Sequence, residues 1–480
     1  MISHLGPQLA IADGVALAHK LKGESKISLA FSGDGATSEG DFHEALNVAA
    51  VWGLPVIFLI ENNGYGLSTP SSEQFICKQL ADKGIGYGMK AITIDGNNVL
   101  EVYNTIRQVR QECIQEQKPV MVECMTFRMR GHEEASGVKY VPKELIEEWG
   151  KRDPLMNYEQ YLISNKILSD ETRESIRTEI KAEMDAAIQQ VFDEPEITAD
   201  TTEEINDVFA TSTPNIVSPS TKAGSNLRLV DAISRGMYQA MQRHQNLVLM
   251  GQDIAEYGGV FKITEGFVDA FGKDRVRNTP ICESAIVGAA LGLSIKGYKA
   301  MVEMQFADFV TCGFNQIINN LAKINYRWGQ SADVVVRMPT GAGVGAGPFH
   351  SQSNEAWFIH TPGLKVVYPS TPYDAKGLLL ASFEDPNPVM FFEHKGLYRS
   401  VNGFVLDEYY TIEIGKANVV KAGSEVSVIT YGAGVHWAIE VAALHPEIDM
   451  EIIDLRTLMP FDKDAIEASV KKNRKSFVAA

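Results

Sequence analysis

ISLAFSGDGATSEGDFHEALNVAAVWGLPVIFLIENNGYG, residues 27–66, reads as strand, turn, helix and strand in succession. Residues 27–31 form a short apolar run that stops at Gly33-Asp34-Gly35. Phe42, Leu46 and Ala49 then recur on one face of a helix over residues 42–52. Residues 55–60 are a second apolar run, and it stops at Asn62-Asn63. Residues 120–124 repeat the theme. Short apolar strands alternating with amphipathic helices imply a parallel sheet covered on both faces. Ligands of such sheets bind at the carboxyl ends of the strands. Both polar turns fall there, with 26 residues (36–61) between them.

The chemistry of these turns suits a diphosphate and a metal. Glycines let the backbone approach phosphate oxygens. A helix starting near Asp41 offers free N–H groups and the positive end of its dipole. A carboxylate, an amide oxygen and a backbone carbonyl make the hard oxygen set that magnesium takes, with diphosphate and water completing an octahedron. An isolated Gly-Asp-Gly is a common strand-capping turn. It is the second motif at the second strand end that gives the pair its meaning.

Outward from this stretch, residues 170–192 form a charged amphipathic helix. Residues 193–225 are rich in Thr, Ser, Pro, Asp and Glu and read as a flexible linker. A second alternating series begins at Leu227. Its strands are expected at 246–250, 299–303, 333–338 and 388–393, and its helices at 285–295, 312–326 and 373–382. A third series opens at 425–430, turns through Tyr431–Gly434 and continues to 450–454. It offers two or three strands, few for an independent domain.

The expected fold class is α/β, with two parallel-sheet domains and an incomplete third. The expected boundaries are 1–192, a linker at 193–225, 226–400 and 401–480. The 480 residues are 45% apolar and 22% charged, the balance of a globular protein. A net charge of -17 argues against nucleic acid as a partner. The five cysteines are odd in number and lack C-x-x-C spacing. They imply neither a disulfide framework nor zinc, and a reducing cytoplasm fits. No run reaches the ~20 apolar residues of a membrane span.

With the second motif continuing into Gly64-Tyr65-Gly66, residues 33–66 resemble the thiamine diphosphate motif. Together with Ser38–Asn47 they are similar to the alpha chain of the decarboxylating component of 2-oxo acid dehydrogenase complexes. The resemblance implies thiamine diphosphate and Mg2+ as cofactors. It makes Asp34 and Asn63 metal ligands through their side chains and Tyr65 through its carbonyl, with Gly33 and Gly35 beside the cofactor. Arg128-Met129-Arg130-Gly131-His132 follows the strand at 120–124. By the same resemblance Arg128 and His132 line the diphosphate end and the lipoyl entry. Taken alone, these residues are a solvated basic loop. Leu5 is the candidate for the bulky residue that bends the cofactor.

From about Leu227 to Met459 the chain resembles the beta chain of the same component. Glu283, after Thr279-Pro280-Ile281-Cys282, stands where the family's carboxylate hydrogen-bonds the aminopyrimidine ring and activates the cofactor. A carboxylate at a helix start is also favoured by the dipole alone. Phe309 falls where the family stacks a ring on the pyrimidine, and core packing explains it equally well. His350, in His350-Ser351-Gln352 after the Gly-rich residues 341–347, matches the histidine that takes part in acyl transfer. Asp385 and Asn387 match a turn that holds K+ in relatives, and a plain turn also accounts for them.

The implied activity is oxidative decarboxylation of a 2-oxo acid with acylation of a lipoyl group on a partner acyltransferase. Residues 282–288 and 303–308 look more like the branched-chain relatives, which favours 3-methyl-2-oxobutanoate over pyruvate or acetoin. Relatives have more chain before Ser3 and after the third series, so the resemblance makes this a fragment of a fused alpha–beta polypeptide, expected to dimerise. Two other classes compete. A transketolase-like transferase shares the cofactor but would need a basic sugar-phosphate pocket. A catalytically inert partner-binding piece would not bind thiamine diphosphate.

Overall fold

The computed structural model describes residues 4–133 and 135–479. Met1 and Ser3, where the alpha-like match starts, lie outside them, as does Ala480. The described chain forms two compact units. One comprises Ile27–Phe42 and Gly53–Asn206. The other comprises the described parts of Met1–Lys26, His43–Trp52 and Asp207–Ala480.

In the first unit, four parallel strands lie in the order Ser28–Gly33, Val56–Asn62, Val120–Met125, Lys90–Asp95. Val56, Ile57, Phe58, Leu59 and Ile60 are all buried, so this strand is covered on both faces. Ile57, Leu59, Val120 and Val122 pack with Val109 and Cys113 of helix Val99–Glu116. On the other face Gly84 of helix Ala81–Gly86 lies against Ala91 and Met121. Helix Asp170–Asp193 buries none of its residues.

The second unit holds a seven-stranded sheet in the order Thr457–Met459, Lys365–Val367, Val389–His394, Val334–Thr340, Lys299–Glu303, Leu247–Gly251, Val276–Asn278. All neighbours are parallel except the first pair. Helices Leu229–Arg243 and Pro372–Glu384 cover one face. Helix Glu283–Ile295 is buried nearly all round, as its uniformly apolar sequence requires. It packs along helix Pro7–Leu21. A Cβ on Gly14 would stand 2.0 Å from the Ala289 carbonyl oxygen, and one on Gly292 2.1 Å from that of Ile11. Only glycine admits so close a backbone approach. The expected segment 1–192 is therefore shared between the two units.

Three further expectations are corrected. The third series is not two or three strands but a four-stranded sheet, Asn418–Lys421, Met450–Asp454, Val426–Thr430, Ser476–Val478. The helix expected at 312–326 is broken into a 3-10 turn (Ala307–Gly313), a π turn (Gln316–Leu321) and helix Ile324–Trp328. Its amides bond elsewhere. Gln316 Nε2 donates to the Pro7 carbonyl at 2.9 Å, and Asn320 Nδ2 to Gln316 Oε1 at 2.8 Å. The linker is not free along its length. Helix Thr201–Asn206 lies within it. The Ala210 and Val217 amides then donate to Asn387 Oδ1 and Thr411 Oγ1, at 2.8 and 2.7 Å. Strand Gly224–Arg228 pairs with Asn402–Leu406.

Candidate active site

The sheet register of the first unit sets two of the expected metal ligands beside each other. Gly33 pairs with Glu61, so Asp34 and Asn63 leave adjacent strands side by side. Asp34 is fully buried. Its Oδ1 accepts the Asn63 amide at 3.4 Å and its Oδ2 accepts Ser71 Oγ at 3.1 Å. Asn63 Oδ1 accepts the Tyr65 amide at 3.2 Å, which folds the turn between these two expected ligands. The two glycine turns touch, because a Cβ on Gly35 would lie 2.9 Å from Gly66 Cα. A Cβ on Gly33 would meet nothing within 4 Å, so the strand end stands open.

Among the described residues no basic group lies within 4.0 Å of Asp34, whereas Arg337 is held by Glu303 and Glu393. A buried carboxylate with only two neutral donors fits a bound cation. The ligand set is one carboxylate, one amide oxygen and one carbonyl, the hard set of magnesium.

Arg128 stands nearby in sequence space and is anchored. Its Nη2 donates to the Leu67 carbonyl at 2.6 Å and to Tyr140 Oη at 3.1 Å. Its Nη1 lies 3.1 Å from His132 Nδ1. A guanidinium can only donate, so Nδ1 accepts and a neutral His132 carries its proton on Nε2. Arg128 Nε is buried without a partner. The basic loop is thus a built element and not merely solvated.

The second unit carries the residues expected at the pyrimidine end of the cofactor and at acyl transfer. Glu283 is buried at the first position of helix Glu283–Ile295. Gln252 Nε2 donates to Glu283 Oε1 at 3.0 Å, and Glu44 Oε2 caps the same helix by accepting the Ala285 amide at 3.0 Å. His350 ends a short 3-10 turn. Its ring meets Phe306 edge-on at 4.8 Å and Phe309 at 5.6 Å. Asp308 Oδ1 accepts the Gln352 amide at 3.1 Å and so pins the His350 loop. Leu5 is half exposed, one residue before Gly6, whose φ of 88° opens helix Pro7–Leu21.

Sequence reasoning missed Gln252, Asp308 and Phe306 as supports. Phe306 and Asp308 lay within one short motif, residues 305–309, and Gln252 carried no signal there. Asp385 and Asn387 form a hydrogen-bonded turn. Lys365 Nζ donates to Asp385 Oδ2, and both nitrogens of Asn387 reach Asp385 Oδ1, at 2.9 and 3.0 Å. Asn387 Oδ1 already accepts the Ala210 amide. Every side-chain oxygen of this turn accepts an N–H, which is the plain turn that also accounts for these two residues.

Three family models match. Dehydrogenase E1 component covers residues 2–200, the pyrimidine-binding domain of transketolase 225–401, and the C-terminal domain of transketolase 415–480. The 2-oxoisovalerate dehydrogenase subunit beta of Bacillus subtilis is 46% identical over 252 residues, 51% of this chain and 76% of that protein. A mitochondrial 2-oxoisovalerate dehydrogenase subunit beta 2 of Arabidopsis thaliana is 41% identical over 264 residues, 54% and 73% of the two chains. The pyruvate dehydrogenase E1 component subunit beta of Staphylococcus aureus is 43% identical over 257 residues, 52% and 79%. No helix among the described residues is long and apolar enough to cross a membrane.

Proposed function

This chain belongs to the family of 2-oxo acid dehydrogenase E1 components, with alpha-type and beta-type domains in one polypeptide, and from that premise we propose that its substrate is a branched-chain 2-oxo acid. Thiamine diphosphate is the cofactor its domains imply, and a lipoyl-bearing acyltransferase is the partner with which the family works. The preference for 3-methyl-2-oxobutanoate is supported by residues 282–288 and 303–308 and by the 46% identity to a 2-oxoisovalerate dehydrogenase subunit. The 43% identity to a pyruvate-named relative keeps pyruvate as the competitor. Self-association into a dimer is part of the same proposal, and sedimentation velocity checks it.

The observation that carries the assignment of the site is the buried, unneutralised Asp34 beside Asn63. Asp34, Asn63 and the Tyr65 carbonyl would hold Mg2+, which would neutralise charge on the diphosphate. Arg128, fixed by Leu67 and Tyr140, adds positive charge at that end. When bound, thiamine diphosphate supplies the carbon nucleophile that adds to the 2-oxo carbon and accepts the electron pair released with CO2. Gln252 occupies Oε1 of Glu283, which leaves Oε2 to hold the proton shared with the aminopyrimidine. Phe309 would stack its ring on the same group. His350, held edge-on by two phenyl rings, carries the proton that a lipoyl sulfur needs as its disulfide opens. The acid carbon is oxidised to the acyl level and the disulfide is reduced. His132, oriented by Arg128, directs its Nε2–H away from that arginine at the lipoyl entry.

Two measurements test this. Mg2+-dependent thiamine diphosphate binding by titration calorimetry is expected for the chain and absent for Asp34→Ala. Equal binding by both would remove Asp34 from the site. Rates of decarboxylation with a dye acceptor are expected to give a kcat/KM at least about tenfold higher for 3-methyl-2-oxobutanoate than for pyruvate. The opposite ratio would overturn the branched-chain reading alone.

A further inference from the structure

A cavity of about 570 Å³ lies in the second unit, and neither Glu283 nor His350 lines it. Val230, Val260, Phe261 and Val344 make an apolar wall, and Lys395 and Arg399 are the charged groups that line it. No carboxylate lines the cavity. This is unexpected in a chain with net charge -17.

Lys395 is only 3% exposed. Among the described residues neither Lys395 nor Arg399 has a carboxylate within 4.0 Å. Among the described residues the hydrogen bond of Lys395 Nζ is a 3.5 Å contact to the Pro339 carbonyl, and the Phe306 ring centroid lies 5.4 Å away. Asp308 is the acid whose charge Lys395 feels, but it does not line the cavity and is spent in part on the Gln352 amide. Other buried cations of this unit are treated differently. Arg337 is enclosed by two carboxylates, and Lys376 donates to the carbonyls of Leu406 and Glu408 at 2.6 and 2.8 Å. A buried ammonium without a counter-charge is costly and is retained where something else supplies the charge.

We propose that this cavity is a second small-molecule site that binds an aliphatic monocarboxylate, its carboxylate between Lys395 and Arg399 and its hydrocarbon against Val230, Val260, Phe261 and Val344. The volume falls within the range of small-ligand pockets. Two cations lining a cavity with an apolar wall match the polarity of a short carboxylic acid, and an alcohol or amide of the same shape would leave the ammonium unpaired. Burial pushes the Lys395 ammonium down to about 8, and a bound carboxylate opposes that shift. Such an anion could be a 2-oxo acid or a simple carboxylate, and the two share this chemistry.

The test is equilibrium binding to the full chain without thiamine diphosphate, so that nothing turns over. Ligand-observed NMR titrations with 3-methyl-2-oxobutanoate and with 3-methylbutanoate separate the two sources, and 3-methylbutanamide is the uncharged control. Saturable binding of at least one acid and none of the amide is expected. Arg399→Gln, at an exposed position, should weaken it about fivefold and Lys395→Gln about tenfold, with Lys395→Arg restoring most of it. His350→Ala should leave it unchanged. Loss of binding in His350→Ala with retention in both cation variants would place the anion beside His350 instead. Equal affinity in every variant, or no saturation, would overturn the proposal without touching the assigned reaction.

Discussion

Glu283 and Asp34 are both buried carboxylates, and their surroundings separate their tasks. Asp34 accepts an amide and a hydroxyl and has both oxygens turned toward neighbouring strand ends. Glu283 has one oxygen held by Gln252. Glu283→Gln keeps the shape and removes the proton-holding oxygen. It should lower kcat by about 10²–10⁴, the usual worth of positioned proton transfer, while changing thiamine diphosphate affinity less than tenfold. Steady-state rates beside calorimetric titrations check both parts. A variant with near-native kcat would remove Glu283 from the chemistry. His350 depends on its neighbours for placement. Phe306→Leu removes the edge contact at 4.8 Å and should reduce acyl transfer to a lipoyl acceptor more than it reduces dye-coupled decarboxylation. An equal fall in the two assays would argue for a general packing defect.

The glycines that matter most lie where helices meet. In the pair Pro7–Leu21 and Glu283–Ile295, Gly14 and Gly292 face backbone, which cannot swing aside as a side chain can. Gly14→Ala should therefore destabilise by roughly 1–3 kcal/mol or more, as overpacked cores do. Gly40→Ala, whose Cβ would meet nothing within 4 Å, should change stability by about 0.5 kcal/mol or less. Urea denaturation of the two variants supplies the comparison, and similar midpoints would contradict the packing described here. The same helix pair carries Glu283 at its end, so a shift of the pair also moves the carboxylate. The π turn Gln316–Leu321 belongs to this neighbourhood, where its amide side chains tie residues 4–7 down.

Strand Thr457–Met459 follows Met450–Asp454 in the chain yet joins the seven-stranded sheet, so two sheets share one connection. Asp454 sits at that connection, almost fully enclosed. Burial pushes its carboxyl up to about 7, against the donors of Ser370 and the Arg456 amide. An unfolded aspartate titrates near 3.9. Between those values the folded state binds the extra proton. Its contribution is thus fully present below about pH 4 and is lost as pH rises toward 7. The loss is on the order of a few kcal/mol. Denaturant midpoints at pH 5 and pH 8 should therefore differ more in the native chain than in Asp454→Asn, which has no such proton to lose. A pH dependence identical in the two would remove Asp454 as its source.

The alternation of strands and helices was legible because backbone propensity and side-chain periodicity act over fewer than ten residues. Leu59 and Val122 announce buried strands wherever the rest of the chain goes. The meeting of Asp34 and Asn63 was legible for the same reason. Asp34 and Asn63 end adjacent parallel strands, so spacing alone brings them together. The family resemblance added roles for Glu283 and His350 that neither residue declares in isolation. Other features depended on partners far away in sequence. Asp385 and Asn387 gave no local sign that Lys365 and Ala210 would reach their oxygens. Residues 210–220 looked flexible until Asn387, Thr411 and Glu408 met them. Lys395 gave no sign that its charge would be buried beside Arg399 in an apolar cavity. Local stereochemistry is written in consecutive residues, but which groups satisfy one another across a folded chain is decided only when packing brings them within a few ångströms.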